Sequence, residues 1–135
     1  MVVGDEAGTA LTTGDNNVAV GYAALDAEDT GTDSVAIGYN ALTAQNTDTT
    51  VFNVAVGSSA GAAITSGVQN TLIGGRAGDA LTNADFNVAV GFQALTSDTL
   101  GSNSIAIGRE ALNSQNFTTA TDSFNTAIGY QTGRS

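Results

Sequence analysis

The chain has 135 residues, of which 41% are hydrophobic, a share high enough for a folded protein. Thirteen acidic residues against three arginines give a net charge of −10, which repels nucleic acid and anionic membrane surfaces. The absence of cysteine and histidine excludes disulfides, thiolate catalysis and the usual zinc sites. We therefore expect no enzyme, no cofactor and no metal site, and we expect no nucleic-acid partner.

One short apolar motif returns along the whole chain, and each copy ends in glycine. The spacing between copies is 17 residues in most cases, with one interval of 19 and a last interval of 21. Internal repeats of this length are typical of solenoids. In chain order the copies end at Gly4, Gly21, Gly38, Gly57, Gly74, Gly91, Gly108 and Gly129.

A longer repeat is superimposed on the short one, because residues 4–46 match residues 74–116 at an offset of 70. Four coils therefore form one super-repeat. We predict a single repeat domain over residues 1–135, with super-repeats at approximately 1–70 and 71–135.

Each copy of the motif predicts a short β-strand. The residue before the glycine is Val or Ile, and the residue three before it is β-branched in every copy after the first, as in Val18 and Val20 around Ala19. Alternation with a period of two places both β-branched residues on one face of the strand, which we expect to be the interior. The other face carries mostly alanine, and we expect it to be buried too, because both faces of the strand are apolar.

Two further columns predict a close-packed interior. The fourth residue after each motif glycine is either Gly or Leu, and the seventh residue compensates for its size. Where the fourth residue is Gly, as at Gly8, the seventh is aliphatic; where the fourth is Leu, as at Leu25, the seventh is polar or acidic. Each of the seven coils in which both positions are present thus supplies one large aliphatic group, as a core of constant volume requires. Helices are the weaker alternative, since the apolar residues do not recur at three-to-four spacing.

These patterns predict an all-β parallel β-solenoid, or β-roll, of eight coils with about 17 residues per coil. The small apolar side chains bury little area per coil, so a lone roll would be only marginally stable and association of several chains is expected. We place this association on the alanine-bearing face. The predicted interface residues are Ala19, Ala36, Ala55, Ala89, Ala106 and Ala127.

The strings from Asp33 to Gly38 (DSVAIG) and from Asn103 to Gly108 (NSIAIG) resemble the recurring signature of YadA-like head domains of trimeric autotransporter adhesins. The string from Asn125 to Gln131 is similar to repeats in phage tail fibre proteins. The resemblance covers nearly the whole chain, and it implies a left-handed parallel β-roll in which three chains pack side by side as a homotrimer. The coils are longer than is usual for adhesin heads and no neck, stalk or anchor follows, which favours the phage-fibre alternative.

The resemblance implies a non-enzymatic structural or adhesive segment of a longer fibrous protein. Such a segment would be extracellular, on a virion fibre or a bacterial cell surface, with a host-surface glycan or protein as its receptor. No apolar run approaches 18 residues, so membrane insertion by this segment is not expected. Two alternatives remain open: an architectural filament subunit that stacks end to end, and an ice-binding solenoid suggested by threonine columns that contain Thr12, Thr65 and Thr82.

Two sets of residues are candidates for surface contact. The longer coils carry extra residues at equivalent places in the two super-repeats, and insertions in solenoids often form binding loops. Aromatic residues follow four of the motif glycines, where other coils carry charged or small residues, so this column is expected to point outward. The candidates are Gln45, Asn46, Thr47, Asp48, Gln115, Asn116 and Phe117 in the longer coils, and Tyr22, Tyr39, Phe92 and Tyr130 after the glycines.

Overall fold

The structure, a computed structural model, describes residues 1–134. It contains ten short strands, and the described residues form no helix. Because each strand is only two or three residues long, turns make up most of every coil. The strands are β1 (Val2–Val3), β2 (Val18–Val20), β3 (Val35–Ile37), β4 (Val54–Val56), β5 (Thr71–Ile73), β6 (Val88–Val90), β7 (Gly101–Ser102), β8 (Ile105–Ile107), β9 (Thr121–Asp122) and β10 (Thr126–Ile128).

Eight of the strands stack into one parallel sheet in the order β1-β2-β3-β4-β5-β6-β8-β10. Each strand is the apolar motif of one coil, so about seven full turns connect the eight motifs. The register is the one the repeat predicts, with Ala19 beside Ala36 and Ala36 beside Ala55. Strands β7 and β9 form a second, two-stranded parallel sheet. The prediction of a parallel β-solenoid with about 17 residues per turn is therefore confirmed.

The predicted compensation between the fourth and seventh positions is also present in the core. A side chain at Gly61 would lie 3.2 Å from Ile64 Cδ1 and 2.8 Å from Leu72 Cδ1, so neighbouring aliphatic groups fill the space that this glycine leaves. At Gly78 the same space is filled by Leu81, whose Cδ1 lies 2.8 Å away, and again by Leu72. These aliphatic side chains are fully buried.

The predicted orientation of the strands is wrong. The alanines predicted to face another chain point into the roll: five are fully inaccessible in the single chain and Ala127 is 7% exposed. The β-branched residues predicted to be interior lie on the outer surface, where Ile37 is 37% and Ile73 is 40% exposed. The leucines and isoleucines of the turns occupy the narrow interior, so only a methyl group fits at most inward strand positions.

All six alanines predicted at the interface have methyl groups that are not available to a second chain. They are Ala19, Ala36, Ala55, Ala89, Ala106 and Ala127. Leu72 is the exception that supports this explanation. It occupies an inward position of β5 because Gly61 and Gly78, which flank it, provide no side chain. The volume of the interior, rather than hydrophobicity alone, therefore decides which face of each strand is inside.

A ladder of buried asparagines, Asn17, Asn53, Asn70 and Asn87, closes the turns before β2, β4, β5 and β6. Asn70 Nδ2 donates to the carbonyl oxygen of Ala84 at 2.8 Å, and its Oδ1 accepts from the Asn87 backbone N–H at 3.0 Å. Asn53 and Asn87 make the same kinds of bond to the coils that follow them. These hydrogen bonds connect each ladder asparagine to the next coil, so the ladder joins successive coils.

Candidate functional site

An apolar surface runs along the sheet and is here called the outer stripe, defined as the outward-facing residues of β2, β3, β4, β5, β6, β8 and β10. It consists of two parallel columns of Val, Ile and Thr with no charged residue in either column. At the usual spacing of about 4.8 Å between strands, the outer stripe is roughly 30 Å long. A contiguous apolar surface of this extent is a candidate interaction surface.

One edge of the outer stripe carries the predicted aromatic column, and its rings are exposed as expected. Tyr22 and Tyr39 stack with ring centroids 5.4 Å apart, and the Arg109 guanidinium lies 5.6 Å from the centroid of the Tyr130 ring. Phe92 is also exposed and lies against Gly75. A hydrogen bond to the Glu6 carboxylate raises the pKa of the Tyr22 phenol, with smaller contributions from its other neighbours. These interactions hold the rings along the corner beside the strands.

The opposite edge of the outer stripe carries a second aromatic column, whose residues are not among the predicted contact residues. Phe52, Phe86 and Phe124 are exposed, and all three adopt a left-handed backbone conformation with φ between 49° and 60°. This conformation is uncommon for a bulky residue. Each of these residues directly precedes an asparagine before a strand (Asn53, Asn87 and Asn125), and that repeated position is the signal in the sequence. The outer stripe is therefore flanked by exposed aromatic rings on both sides.

The two long loops are residues 45–51 and 115–123, and the structure divides their candidate contact residues into two groups. Asn46, Asp48 and Asn116 are exposed, whereas Thr47 and Phe117 are half-buried. Gln45 is fully buried and Gln115 is partly buried, and both amides are engaged in internal hydrogen bonds. The prediction that these two glutamines contact a receptor is therefore wrong for Gln45 and does not fit Gln115.

Gln45 belongs to a buried polar network, here called the first network, with Glu28, Ser34 and Asn53. Gln45 Nε2 donates to Glu28 Oε2 and to Ser34 Oγ, both at 2.9 Å. Gln45 Oε1 accepts from Asn53 Nδ2 at 2.9 Å. Glu28 Oε1 accepts two backbone N–H bonds, from Gly31 at 2.8 Å and from Thr47 at 3.2 Å. The buried carboxylate is thus bonded both to its own turn and to the first long loop.

A second network repeats this arrangement with Asp98, Ser104, Gln115 and Asn125. Gln115 Nε2 donates to Asp98 Oδ2 at 2.5 Å and to Ser104 Oγ at 3.0 Å, while its Oε1 accepts from Asn125 Nδ2 at 2.7 Å. Asp98 Oδ1 accepts from the backbone N–H groups of Gly101 and Phe117. Each long loop is therefore tied to a buried carboxylate in the preceding coil.

The threonine columns that suggested ice binding are engaged between coils. Thr12 Oγ1 donates to Asp29, Thr65 Oγ1 donates to Asn83 at 2.7 Å, and Thr82 Oγ1 donates to the Thr99 carbonyl oxygen at 3.1 Å. Hydroxyl groups committed to the neighbouring coil do not form a free, regular array.

Beyond β10 the interior opens into a cavity of about 850 Å³, lined by core residues such as Leu112 and Ala127. Within residues 1–134, no three acidic side chains converge in a way that could hold a metal ion. No helix long and apolar enough to cross a bilayer is found in the same residues.

Comparisons with protein families, with curated proteins and with solved structures found no match to this chain.

Proposed function

We propose that the chain is a non-enzymatic, structural and adhesive segment of an extracellular fibre, such as a virion tail fibre or a bacterial surface adhesin. Three left-handed rolls pack side by side along the outer stripe as a homotrimer. Their long loops contact a surface receptor, a glycan or a protein. The single observation that carries this proposal is the outer stripe, an uncharged apolar surface that extends along nearly the whole roll.

The size of this surface supports a stable interface. Together with its two aromatic edges, the outer stripe spans about six residue steps, or roughly 20 Å, across the roll. An area of roughly 600 Å² approaches the 800 Å² or so that each partner contributes to a standard protein interface. The acidic residues that give the chain its net charge of −10 lie outside the two columns.

The periodicity of this surface supports a second copy as the partner. Side chains along the outer stripe repeat at the coil spacing, so a partner can interdigitate at every coil only if it has the same spacing. Another copy of the chain meets this requirement without further adjustment. With three copies, the contact loops are also presented three times, and multivalency strengthens weak individual contacts.

Sedimentation equilibrium tests the association directly. The expected mass is three times the 13.4 kDa of the chain. Ile73→Lys places a charge at the centre of the outer stripe, so juxtaposed lysines are expected to weaken association by about 100-fold or more. The matched control is Ser66→Lys, an exposed position on another part of the coil, which should leave the mass unchanged.

A monomeric wild-type protein, or equal effects of the two lysine variants, would contradict the trimer. A mass that grows without limit as concentration rises would favour the end-to-end filament instead. The observation that keeps this second candidate is the open cavity beyond β10, whose core residues could pack against the first coil of another molecule.

Loop shortening tests the adhesive part of the proposal. Deleting Asp48 and Thr49 reduces the 19-residue coil to the 17 residues of its neighbours, so the fold and the trimer should persist. Binding of the fluorescently labelled protein to immobilised neutral glycans and surface proteins is expected to fall by about 10-fold or more, since multivalent contacts weaken together. Unchanged binding by the shortened protein would exclude this loop from attachment.

A further inference from the structure

The two polar networks occupy equivalent places in the two super-repeats. At the seventh position after the motif glycine, three of the 17-residue coils carry Leu11, Ile64 or Leu81, which fill the apolar core. The same position carries Gln45 and Gln115 in the two coils with long loops, and Glu28 and Asp98 in the coils just before them. Polar groups therefore replace the aliphatic core next to each long loop.

We propose that the two networks are latches, in which Glu28 and Asp98 are positioning residues that hold the long loops in one conformation. The chain then presents two equivalent, preorganised loops on one flank, four coils or about 19 Å apart along the roll. The relevance of the latches to attachment depends on the proposed function. Hydrogen exchange tests the latches without any receptor, so failure of one proposal does not imply failure of the other.

The chemistry of the carboxylate fits a latch because it offers only acceptors. Glu28 accepts one bond from its own turn at Gly31, one from the loop backbone at Thr47 and one from the loop side chain Gln45. All three donors are neutral N–H groups, and neither ion pair in the described residues involves Glu28 or Asp98. The bonds to the loop are thus the main compensation for burying each charge.

The orientation of Gln45 is also determined by its surroundings. Its Oε1 accepts from Asn53, whose own Oδ1 accepts from the Asn70 backbone N–H at 2.8 Å. Because the asparagine ladder fixes Asn53, rotating the Gln45 amide would place two N–H donors against each other. The change Glu28→Gln therefore creates a donor conflict with Gln45 that neither amide can relieve by flipping.

Exchanging the two residues removes this conflict. In the double variant Glu28→Gln/Gln45→Glu, the new carboxylate at position 45 accepts from the amide at position 28, from the Ser34 hydroxyl and from Asn53. The amide oxygen at position 28 still accepts from the backbone of Gly31 and Thr47. A general loss of core packing would not be repaired by this exchange, so rescue is specific to the latch.

Hydrogen exchange of the intact protein measures the effect at each loop. Glu28→Gln is expected to raise the exchange rate of the hydrogen-bonded amides in residues 45–51 by about 10- to 100-fold, because a buried donor loses its acceptor. The double variant should return these rates to within about 3-fold of wild type. Asp98→Asn should produce the same loosening in residues 115–123, and Gln115→Glu should reverse it.

The loop that is not targeted is the matched control in each variant. Glu28→Gln should leave exchange at Phe117 and Thr121 unchanged, and Asp98→Asn should leave Thr47 and Val51 unchanged. If Glu28→Gln prevents folding, Ser34→Ala removes only one acceptor of Gln45 and should loosen the first loop by about 3-fold. The latch is overturned if the targeted loop exchanges at wild-type rates, if both loops loosen equally, or if the double variant does not restore protection.

Discussion

Replacing Gly74 by alanine is expected to destabilise the roll by about 3–5 kcal/mol, the largest effect we predict for a single methyl group. Gly74 ends its strand with φ +134°, a conformation that strains any residue with a side chain. An added Cβ would lie 2.6 Å from the carbonyl oxygen and carbon of Gly91 in the next coil. Because these atoms belong to the backbone of the stack, they cannot move without separating the coils.

The neighbouring Gly75 provides the control for this prediction. Its φ lies outside the left-handed region, and an added Cβ would meet the Phe92 ring at 3.4 Å and the Ser58 carbonyl oxygen at 3.9 Å, both ordinary contacts. Gly75→Ala should therefore change stability by less than about 1 kcal/mol. Urea unfolding of both variants at one protein concentration measures the difference, and equal losses would show that the glycine column is not constrained by coil stacking.

Replacing Asn70 by alanine is expected to cost about 2–4 kcal/mol. Asn70 is fully buried, and the change removes the acceptor of the Asn87 backbone N–H and the donor to the Ala84 carbonyl oxygen. The Asn87 backbone N–H and the Ala84 carbonyl oxygen then each have one hydrogen-bond partner fewer in the interior. Urea unfolding measures the loss of stability.

Gln69→Ala is the adjacent control, because Gln69 is exposed and alanine tolerates a similar backbone conformation. Its effect should be within about 0.5 kcal/mol. Asn70→Ser should lie between the two, since Ser34 and Ser104 occupy the same column elsewhere in the chain. If Asn70→Ala unfolds at the same urea concentration as Gln69→Ala, the ladder contributes little to the stacking of coils.

The architecture could be predicted because it depends on spacing. The motif recurs at nearly constant intervals, and parallel stacking places like residues beside like, as in the pairing of Ala36 with Ala55. The choice between Gly and Leu at the fourth position, with the compensating seventh residue, correctly predicted an interior of constant volume. Both inferences rest on comparing the copies with one another, which a single sequence with internal repeats allows directly.

The orientation of the strands could not be predicted by the same means. A motif such as Val54-Ala55-Val56 is apolar on both faces, so alternation gives no contrast between inside and outside. The choice depends on the width of the closed coil, which leaves room for a methyl group at Ala55 and none for two branched side chains. Only the position of Leu72 between flanking glycines indicated the inward face, and that signal appears in a single coil.

The buried carboxylates escaped prediction for a different reason. Acidic residues are almost never fully buried, so Glu28 and Asp98 in the sequence indicate only polar residues at a position that is aliphatic in other coils. The informative signal was co-occurrence: each acid precedes a coil in which serine replaces the ladder asparagine and glutamine stands at the seventh position. That combination occurs twice, at Ser34 with Gln45 and at Ser104 with Gln115.

The repeat of core composition every four coils has a consequence for how such a protein changes length. Neighbouring coils differ at the fourth or seventh position after the motif glycine, so adding or deleting one whole super-repeat reproduces every joint between coils. Each such event alters the reach of the rod by about 19 Å. Length is thus an evolvable property in discrete increments, and each increment also brings a long loop together with its latch.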